Sequence, residues 1–382
     1  MNSGIKKVLV IGGGFAGMTA ALQLSRQGFE VDLVEIDGGW RSYGAGISLH
    51  GSTLRVLNQL GLMDRFLEEG YASDGVDIRG PDDSVVVTLP TPRVAGADIP
   101  GGGGIMRPAL AKILSEAVMA CGARVRLGVT FVDIVEDRSG VHVTFTDASE
   151  ARYDLVIGAD GLNSAVRDRI YTNAPKPRFI GQSVWRAVVP RPEGIDTVTM
   201  WMGSTLKVGV NLVNKDQVYI FLTEDRPTND FVAPETLVET LRELLNRFSS
   251  PIIRKIASEL SQEHQIVYRP LEQMLLPRPW HRGRVVLIGD AVHATTPHLA
   301  AGACIGIEDG IVLADELARS TTVDAALSAF QAFEAFETRR WERCRMVVEN
   351  SGRLAEIEIH GGSREEHASL MRQSMKTLAD AI

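Results

Sequence analysis

The sequence predicts an α/β protein, α+β in overall content. A parallel sheet flanked by helices is interrupted by an inserted antiparallel sheet and followed by a long C-terminal helix. Three observations predict it. A strand–turn–helix–strand unit opens the chain over residues 8–35. Two apolar strands far downstream, at 153–157 and 284–288, also run into turns of small residues. Between them, after Ile170, four short strands follow within roughly 45 residues, a density that suits antiparallel hairpins and not further strand–helix–strand units.

The opening unit is the most informative. Val8-Leu9-Val10-Ile11 is a run of β-formers suited to a strand buried on both faces, and Gly12, Gly14 and Gly17 after it match the G-x-G-x-x-G spacing. Gly12 permits the tight turn, Gly14 lets a pyrophosphate approach the backbone, and Gly17 lets the helix pack close to the sheet. The helix that follows, to about Gln27, points its amide groups and partial positive charge at that pyrophosphate. Glu35 ends the second strand 23 residues after Gly12, close to the offset of about 20 at which a carboxylate accepts a ribose hydroxyl. An acid there favours an unphosphorylated ribose. The unit therefore reads as Rossmann-like.

Size and composition bound the rest. The chain has 382 residues, 45% hydrophobic and 23% charged, which is ordinary for a soluble globular protein of two or three domains. Forty basic residues against 48 acidic ones, a net charge of −8, argue against nucleic acid or an anionic membrane as the main partner. Cys121, Cys304 and Cys344 are far apart and form no C-x-x-C, so neither a disulfide framework nor a zinc site is suggested. No apolar run approaches a membrane span or a signal-peptide core, and a cytoplasmic location is expected.

Along the chain, residues 36–42 read as a polar loop, and Gly44-Ala45-Gly46-Ile47-Ser48-Leu49 as a turn running into a short extended piece. Residues 52–60 form a short amphipathic helix ended by Gly61. Two strands, 76–78 and 85–89, flank the turn Gly80-Pro81-Asp82-Asp83, and this hairpin is assigned to the second domain. Gly101 to Gly104 reads as a hinge or flexible loop. Arg107-Pro108 opens a helix with proline in its first turn. Strands follow at 124–127, 129–136 and 141–146, then the buried strand at 153–157, which ends in Gly158-Ala159-Asp160-Gly161. The four antiparallel strands lie at 181–189, 197–202, 206–212 and 217–223, followed by helices at 235–248 and 252–260 and a short strand at 265–268. After Pro277 and Pro279 the strand 284–288 runs into Gly289-Asp290-Ala291-Val292-His293, and helices span 304–319 and 324–351. The expected domains are a discontinuous nucleotide-binding domain (1–70, 101–178 and 270–350), a sheet domain for the substrate (71–100 and 179–269) and a helical tail (351–382).

Strands of one parallel sheet end on one rim, so the turns at Gly12, Asp160-Gly161 and Gly289-Asp290 can touch a single extended ligand. With only one G-x-G-x-x-G present, that ligand is expected to be a permanently held dinucleotide such as FAD. An NAD-dependent dehydrogenase using the single fingerprint remains the alternative from a different class, and it leaves both aspartate turns without a task.

These three motifs, the last with Pro297, resemble the three signatures of the para-hydroxybenzoate hydroxylase-type flavoprotein monooxygenases, and are most similar in pattern to single-component salicylate, 6-hydroxynicotinate and urate hydroxylases. The resemblance spans about residues 5–350. It implies that Gly12, Gly14, Ala16 and Gly17 hold the FAD pyrophosphate, Glu35 the adenosine ribose and the Val129 backbone the adenine. It further implies Arg107 on the flavin side, Ser48 among the cofactor-binding residues, Asp160 serving both FAD and the reduced pyridine nucleotide, Asp290 at the ribityl chain, and backbone amides of Gly302 and Ala303 at the isoalloxazine ring. Two departures stand out: Ile36 occupies the place of a frequent basic residue, and Ala301-Gly302-Ala303 replaces Gly-Gln-Gly.

The activity implied is NADH- or NADPH-driven reduction of FAD, formation of a flavin hydroperoxide with O₂, and hydroxylation of a small electron-rich aromatic or N-heteroaromatic ring. The protein supplies orientation, water exclusion and ionisation of the substrate. No metal is required. Lys207 and Tyr219 resemble the basic and phenolic residues of urate-type hydroxylases, the plain alternatives being a solvated strand lysine and a core aromatic. Arg186, beside Trp185, is a further candidate for an anionic substrate. A reductase or halogenase of the same fold is the other alternative, although the halogenase W-x-W-x-I-P pattern is missing. A monomer or homodimer is expected.

Overall fold

The computed structural model describes residues 4–93, 98–203, 206–320 and 322–382; parts of the expected segments 1–70 and 71–100 lie outside these residues. The parallel sheet is present with six strands in the order His281–Arg282, Val285–Leu287, Leu155–Gly158, Lys7–Ile11, Glu30–Glu35 and Arg124–Leu127, of which only the first pair is antiparallel. Val8, Leu9 and Val10 have no accessible surface, as a central strand covered on both faces requires. Register brings Ile11 beside Gly158, and Gly158 beside Leu287. The three strands that carry the small-residue turns are thus adjacent and point the same way.

The inserted sheet has seven strands, in the order Val267–Gln273, Arg178–Pro190, Gln217–Asp225, Lys207–Leu212, Val198–Met202, Gly75–Arg79 and Val85–Pro90. All neighbours are antiparallel except Gly75–Arg79 with Val198–Met202. Its alternation decides what each face does. Trp185, Ala187, Trp201, Val208 and Leu222 pack with the helices Leu237–Leu245 and Pro251–Glu259 into a separate core. The interleaved residues, among them Arg186, Lys207, Asn211, Tyr219 and Phe221, occupy the opposite face.

Several expectations need correction. Gly102–Met106 is not a hinge but the middle strand of a small sheet, between Gly46–His50 and Tyr71–Ser73. Its glycines serve close approach: a Cβ on Gly104 would lie 2.2 Å from the Leu212 carbonyl oxygen, and one on Gly46 would lie 2.1 Å from the Tyr219 ring. The strand expected at 153–157 is two. Tyr153 ends Glu150–Tyr153 in an antiparallel sheet, Leu155 begins the parallel strand, and Asp154 between them accepts the Lys6 and Lys7 amides at 2.7 and 2.8 Å. The strand at 265–268 runs instead over Val267–Gln273, and the helix expected from Cys304 starts at Gly302. The helix expected over 324–351 runs on to His360, as Ala325–His360, and Arg364–Ala379 follows it. Among the described residues no helix is long and apolar enough to cross a membrane.

Candidate functional site

The first turn has the geometry its glycines predict. Gly12 has φ +108°, and a Cβ there would lie 2.4 Å from the Ala159 carbonyl oxygen; one on Gly17 would lie 2.0 Å from the Gly12 oxygen. A Cβ on Gly14, by contrast, would meet nothing within 4 Å. Gly14 is the N-cap of the helix Phe15–Arg26, which has no capping side chain and no acid in its first turn. Its leading N–H groups, including that of Ala16, are left for an anion above Gly14. Glu35 stands beside them, with Oε2 accepting the Gly13 amide at 2.7 Å and Oε1 the Asp37 amide at 2.8 Å.

The second and third turns abut the first. The Ala159–Asp160 peptide is the surface that Gly12 rests on, and Ile288 N donates to the Gly158 oxygen. Gly289, with φ +64°, approaches the Ala16 methyl so closely that its own Cβ would be 2.9 Å away. All three turns therefore share one rim.

On that rim two positions are engaged by the fold itself. Asp160 turns back onto the helix Ala165–Ile170, accepting from the Ser164 hydroxyl and from Val166 N, and burial pushes its carboxyl up. It therefore caps a helix, and the peptide of the turn is what faces Gly12. The Val129 amide donates to the Glu35 carbonyl at 3.1 Å, so only the Val129 carbonyl is available to an adenine edge.

Asp290 follows Gly289 directly. It is open to the cleft yet deep in the fold, and desolvation raises its carboxyl above the ordinary value, with His293 and Arg107 opposing. Arg107 lies across from it, with burial lowering its guanidinium and Asp290 holding it up, and its guanidinium is 5.0 Å from the Phe15 ring centroid. No direct ion pair joins Arg107 to Asp290 among the described residues. Each faces the cleft as a half of an interaction that an occupant completes.

The cleft continues to the helix Gly302–Arg319. Its N-cap, Ala301, gives no side-chain bond and its first turn holds no acid, so the amides of Gly302 and Ala303 stand unclaimed by a cap. The preceding loop is fixed by His50, whose Nε2–H donates to the Leu299 carbonyl at 2.8 Å while burial pushes the imidazole pKa down. Two uncapped helix starts, the open space over Gly14 and the unpaired Arg107 and Asp290 all fit an extended dinucleotide.

The antiparallel sheet closes the other side. Tyr219 is buried, its hydroxyl 2.7 Å from Ser48 Oγ, which also accepts from Asn211 Nδ2 at 2.8 Å; burial raises the phenol. Lys207 lies on the same face but its Nζ is 2.6 Å from Glu358 Oε1, so it is neither solvated nor available as an unpaired cation. His298 and His367 converge on the same carboxylate at 3.5 and 3.1 Å. Arg186 shares this face as well.

Some participants had little sequence signal. Trp40 donates from Nε1 to the Gly13 carbonyl at 2.9 Å, with φ +46°, and so covers the phosphate turn; being the one aromatic in the run Asp37-Gly38-Gly39-Trp40-Arg41 was its only mark. Arg41 lines the same groove, with its guanidinium paired to Asp37 at 2.8 Å. Glu358 and Asn211 carried no mark at all. The fold also gathers His293, Asp309 and Cys344, and separately His281, Glu334 and Glu337, each set with ligand atoms within 4.8 Å. Arg340 at 2.7 Å from Asp309, and Arg278 at 3.1 Å from Glu337, make both of them ion-pair networks.

Comparison with known proteins adds independent findings. A family described as "FAD binding domain" matches residues 6–351. The aurachin C monooxygenase/isomerase of Stigmatella aurantiaca is 30% identical over 366 residues, 94% of this chain and 90% of that protein. The FAD-dependent urate hydroxylase of Klebsiella oxytoca is 28% identical over 93% of this chain and 91% of that one. The tetrameric form of 2-methyl-3-hydroxypyridine-5-carboxylic acid oxygenase superposes with a TM-score of 0.77 at 25% identity, covering 98% of each chain.

Proposed function

The chain belongs to the FAD-binding-domain family, as a para-hydroxybenzoate hydroxylase-type monooxygenase, and on that premise we propose that it hydroxylates a small planar aromatic or N-heteroaromatic ring held between the parallel rim and the antiparallel sheet. The observation that carries this reading is the shared rim, where Gly12 rests on the Ala159–Asp160 peptide and Gly289 on Ala16. Bound FAD, reduced by NADH or NADPH, would supply the activation of O₂, from which the transferred oxygen atom comes.

The chain's own residues bind and position. The Phe15–Arg26 helix start, with Arg107, takes the pyrophosphate, Glu35 takes the ribose, and Asp290 takes a hydroxyl of the ribityl chain. The amides of Gly302 and Ala303 meet the ring system. Tyr219, fixed by Ser48 and Asn211, presents a phenol oxygen to the substrate hydroxyl and orients it for deprotonation. Lys207 is assigned a supporting part, because Glu358 already balances its charge. A monomer or a homodimer belongs to this reading. A cytoplasmic setting would supply the nicotinamide reductant.

The test is direct. The purified protein should be yellow, and phenolic acids or hydroxylated N-heterocycles should stimulate NADH or NADPH oxidation and acquire ¹⁸O from labelled O₂. A colourless protein that cannot be loaded with FAD, or product without label, overturns the proposal.

A further inference from the structure

One fully buried histidine backs the third turn. His293 has no accessible surface, and its imidazole packs 5.6 Å from the Trp280 ring, centroid to centroid. Its Nε2 lies 2.5 Å from Asp309 Oδ2, and the same oxygen accepts the Gly289 amide at 2.9 Å. Arg340 holds the other oxygen, Oδ1, from Nε at 2.7 Å. One carboxylate thus ties the long helix Ala325–His360 to the Gly289–Asp290 turn.

Asp290 and His293 are the first and last residues of a single helical turn, Asp290–His293. Residues three apart on a helix share a face, with about 5–6 Å between Cβ atoms, so the imidazole stands next to the carboxylate that opens on the cleft. Charge balance joins them as well. Behind the turn, Glu308 and Asp309 are matched by Arg343 and Arg340. An imidazolium adds one positive charge to that neutral set, and Asp290 is the acid beside it. Burial works against the imidazolium, but Cys344 and Asp309 outweigh it and hold the imidazole well above its ordinary 6.5. On Asp290 desolvation raises the carboxyl, His293 and then Arg107 lower it, and Asp309 adds a smaller rise.

Resting on the assignment of Asp290 to a ribityl hydroxyl, we propose that His293 is a positioning residue for FAD: as an imidazolium braced by Asp309, it holds the Gly289–Asp290 turn in place and keeps the Asp290 carboxylate ionised. The ligand hydroxyl then meets a charged acceptor, which makes the shorter and stronger bond.

A double-mutant cycle on FAD affinity tests this, read by flavin fluorescence as protein stripped of FAD is titrated with it. At pH 7 His293→Gln, which keeps a donor for Asp309 but no charge, should weaken FAD binding about 10-fold. In an Asp290→Asn background the same change should alter FAD binding by less than about 2-fold, because it has no carboxylate to act on. The pH profile is a second readout. FAD binding to the parent should weaken as pH falls through the Asp290 value, and His293→Gln should move that fall upward by about one pH unit or more, since losing a neighbouring cation favours the protonated acid. The other groups facing the pair, Arg107, Asp309, Arg340 and Cys344, are the same in both proteins.

Equal weakening in both backgrounds, or an unshifted profile, means that His293 only supports the fold, and overturns the proposal. Asp290→Asn binding FAD as tightly as the parent would remove the ribityl assignment itself, and this inference with it. Should His293→Gln not fold, ¹⁵N spectra of the histidine-labelled parent protein decide. A ring still doubly protonated at about pH 8, whose resonance moves in Asp290→Asn, is expected, and the lack of such a ring overturns the proposal. Neither O₂ nor NAD(P)H takes part in these readings, so failure here is distinct from failure of the hydroxylase reading, which the ¹⁸O experiment decides.

Discussion

Arg343 grips Glu308 with two arms, Nε at 2.8 Å and Nη2 at 2.7 Å, and both side chains are buried. The pair joins the helix that begins with Gly302 and Ala303 to the long helix Ala325–His360. Arg343 also donates to the carbonyls of Thr377 and Leu378, and Arg340 reaches Glu308 at 2.9 Å, so one carboxylate anchors three helices.

Breaking a buried pair from one side strands the other charge, which typically costs about 3–5 kcal/mol. Glu308→Gln should therefore lower stability by an amount of this order, read from urea unfolding of the holoprotein. Burial alone would raise the Glu308 carboxyl, but Arg340 and Arg343 outweigh it and hold it below its ordinary 4.5. A depressed folded value means the contribution is complete above pH 4.5 and fades as pH falls through that lower value. The gap between Glu308→Gln and the parent should accordingly narrow in acid.

Two neighbouring glycines should respond in opposite ways to one added methyl group. In Gly17→Ala the methyl lands on the Gly12 carbonyl, so the turn must move, and both the melting temperature and FAD retention should fall. In Gly14→Ala it enters open space, so the apoprotein should melt as before while FAD binds at least about 10-fold more weakly, the pyrophosphate having been displaced from the helix start. Melting curves and flavin titration of both variants check the pair.

Asp290 should show a conflict between stability and binding. Its raised carboxyl means the folded protein prefers the proton, so stability is greatest below the ordinary carboxyl value of 3.8 and declines as pH rises through the raised one. Asp290→Asn removes that burden. The apoprotein should melt at a higher temperature at pH 7 and hold FAD less well, and a variant that does neither would place Asp290 outside the cofactor cleft.

Tyr219→Phe removes a hydroxyl held by Ser48. Turnover on an accepted substrate should fall about 10-fold or more, in the range typical of one lost proton-handling group. FAD content should stay constant. Ser48→Ala, which frees the phenol and releases Asn211, should weaken the same step less. Equal turnover in Tyr219→Phe would return this residue to the core.

Legibility followed the range of the interaction. The Gly12 turn, the apolar run after Lys7 and the paired prolines near Pro277 are local signals, and each marked a real element. Gly102–Met106 was missed because its glycines look flexible one by one; only the Leu212 carbonyl and the Phe66 ring, brought in from elsewhere, show that they answer to crowding. Ser351-Gly352 reads as a helix stop for a similar reason, yet Gly352 lies against the Gln273 side chain, where a Cβ would be 2.6 Å from its Oε1.

The site divides likewise. The places of Gly12, Gly17, Arg107 and Asp290 in turns and helix starts were readable because these leave a pattern in neighbouring letters. The pairing of Lys207 with Glu358 spans 151 positions and leaves none, so an unpaired cation and a neutralised one looked alike.

The parallel pairing of Gly75–Arg79 with Val198–Met202 has a consequence for synthesis. The early hairpin leaves the ribosome some 120 residues before the other strand it pairs with among the described residues, a wait of about 6–24 s at ordinary elongation rates. Throughout that interval Val85, Val86, Val87 and Leu89, still 40–66% exposed in the finished protein, form a bare aliphatic ribbon. It is there that a nascent chain of this protein would seek a chaperone or, lacking one, a neighbouring chain.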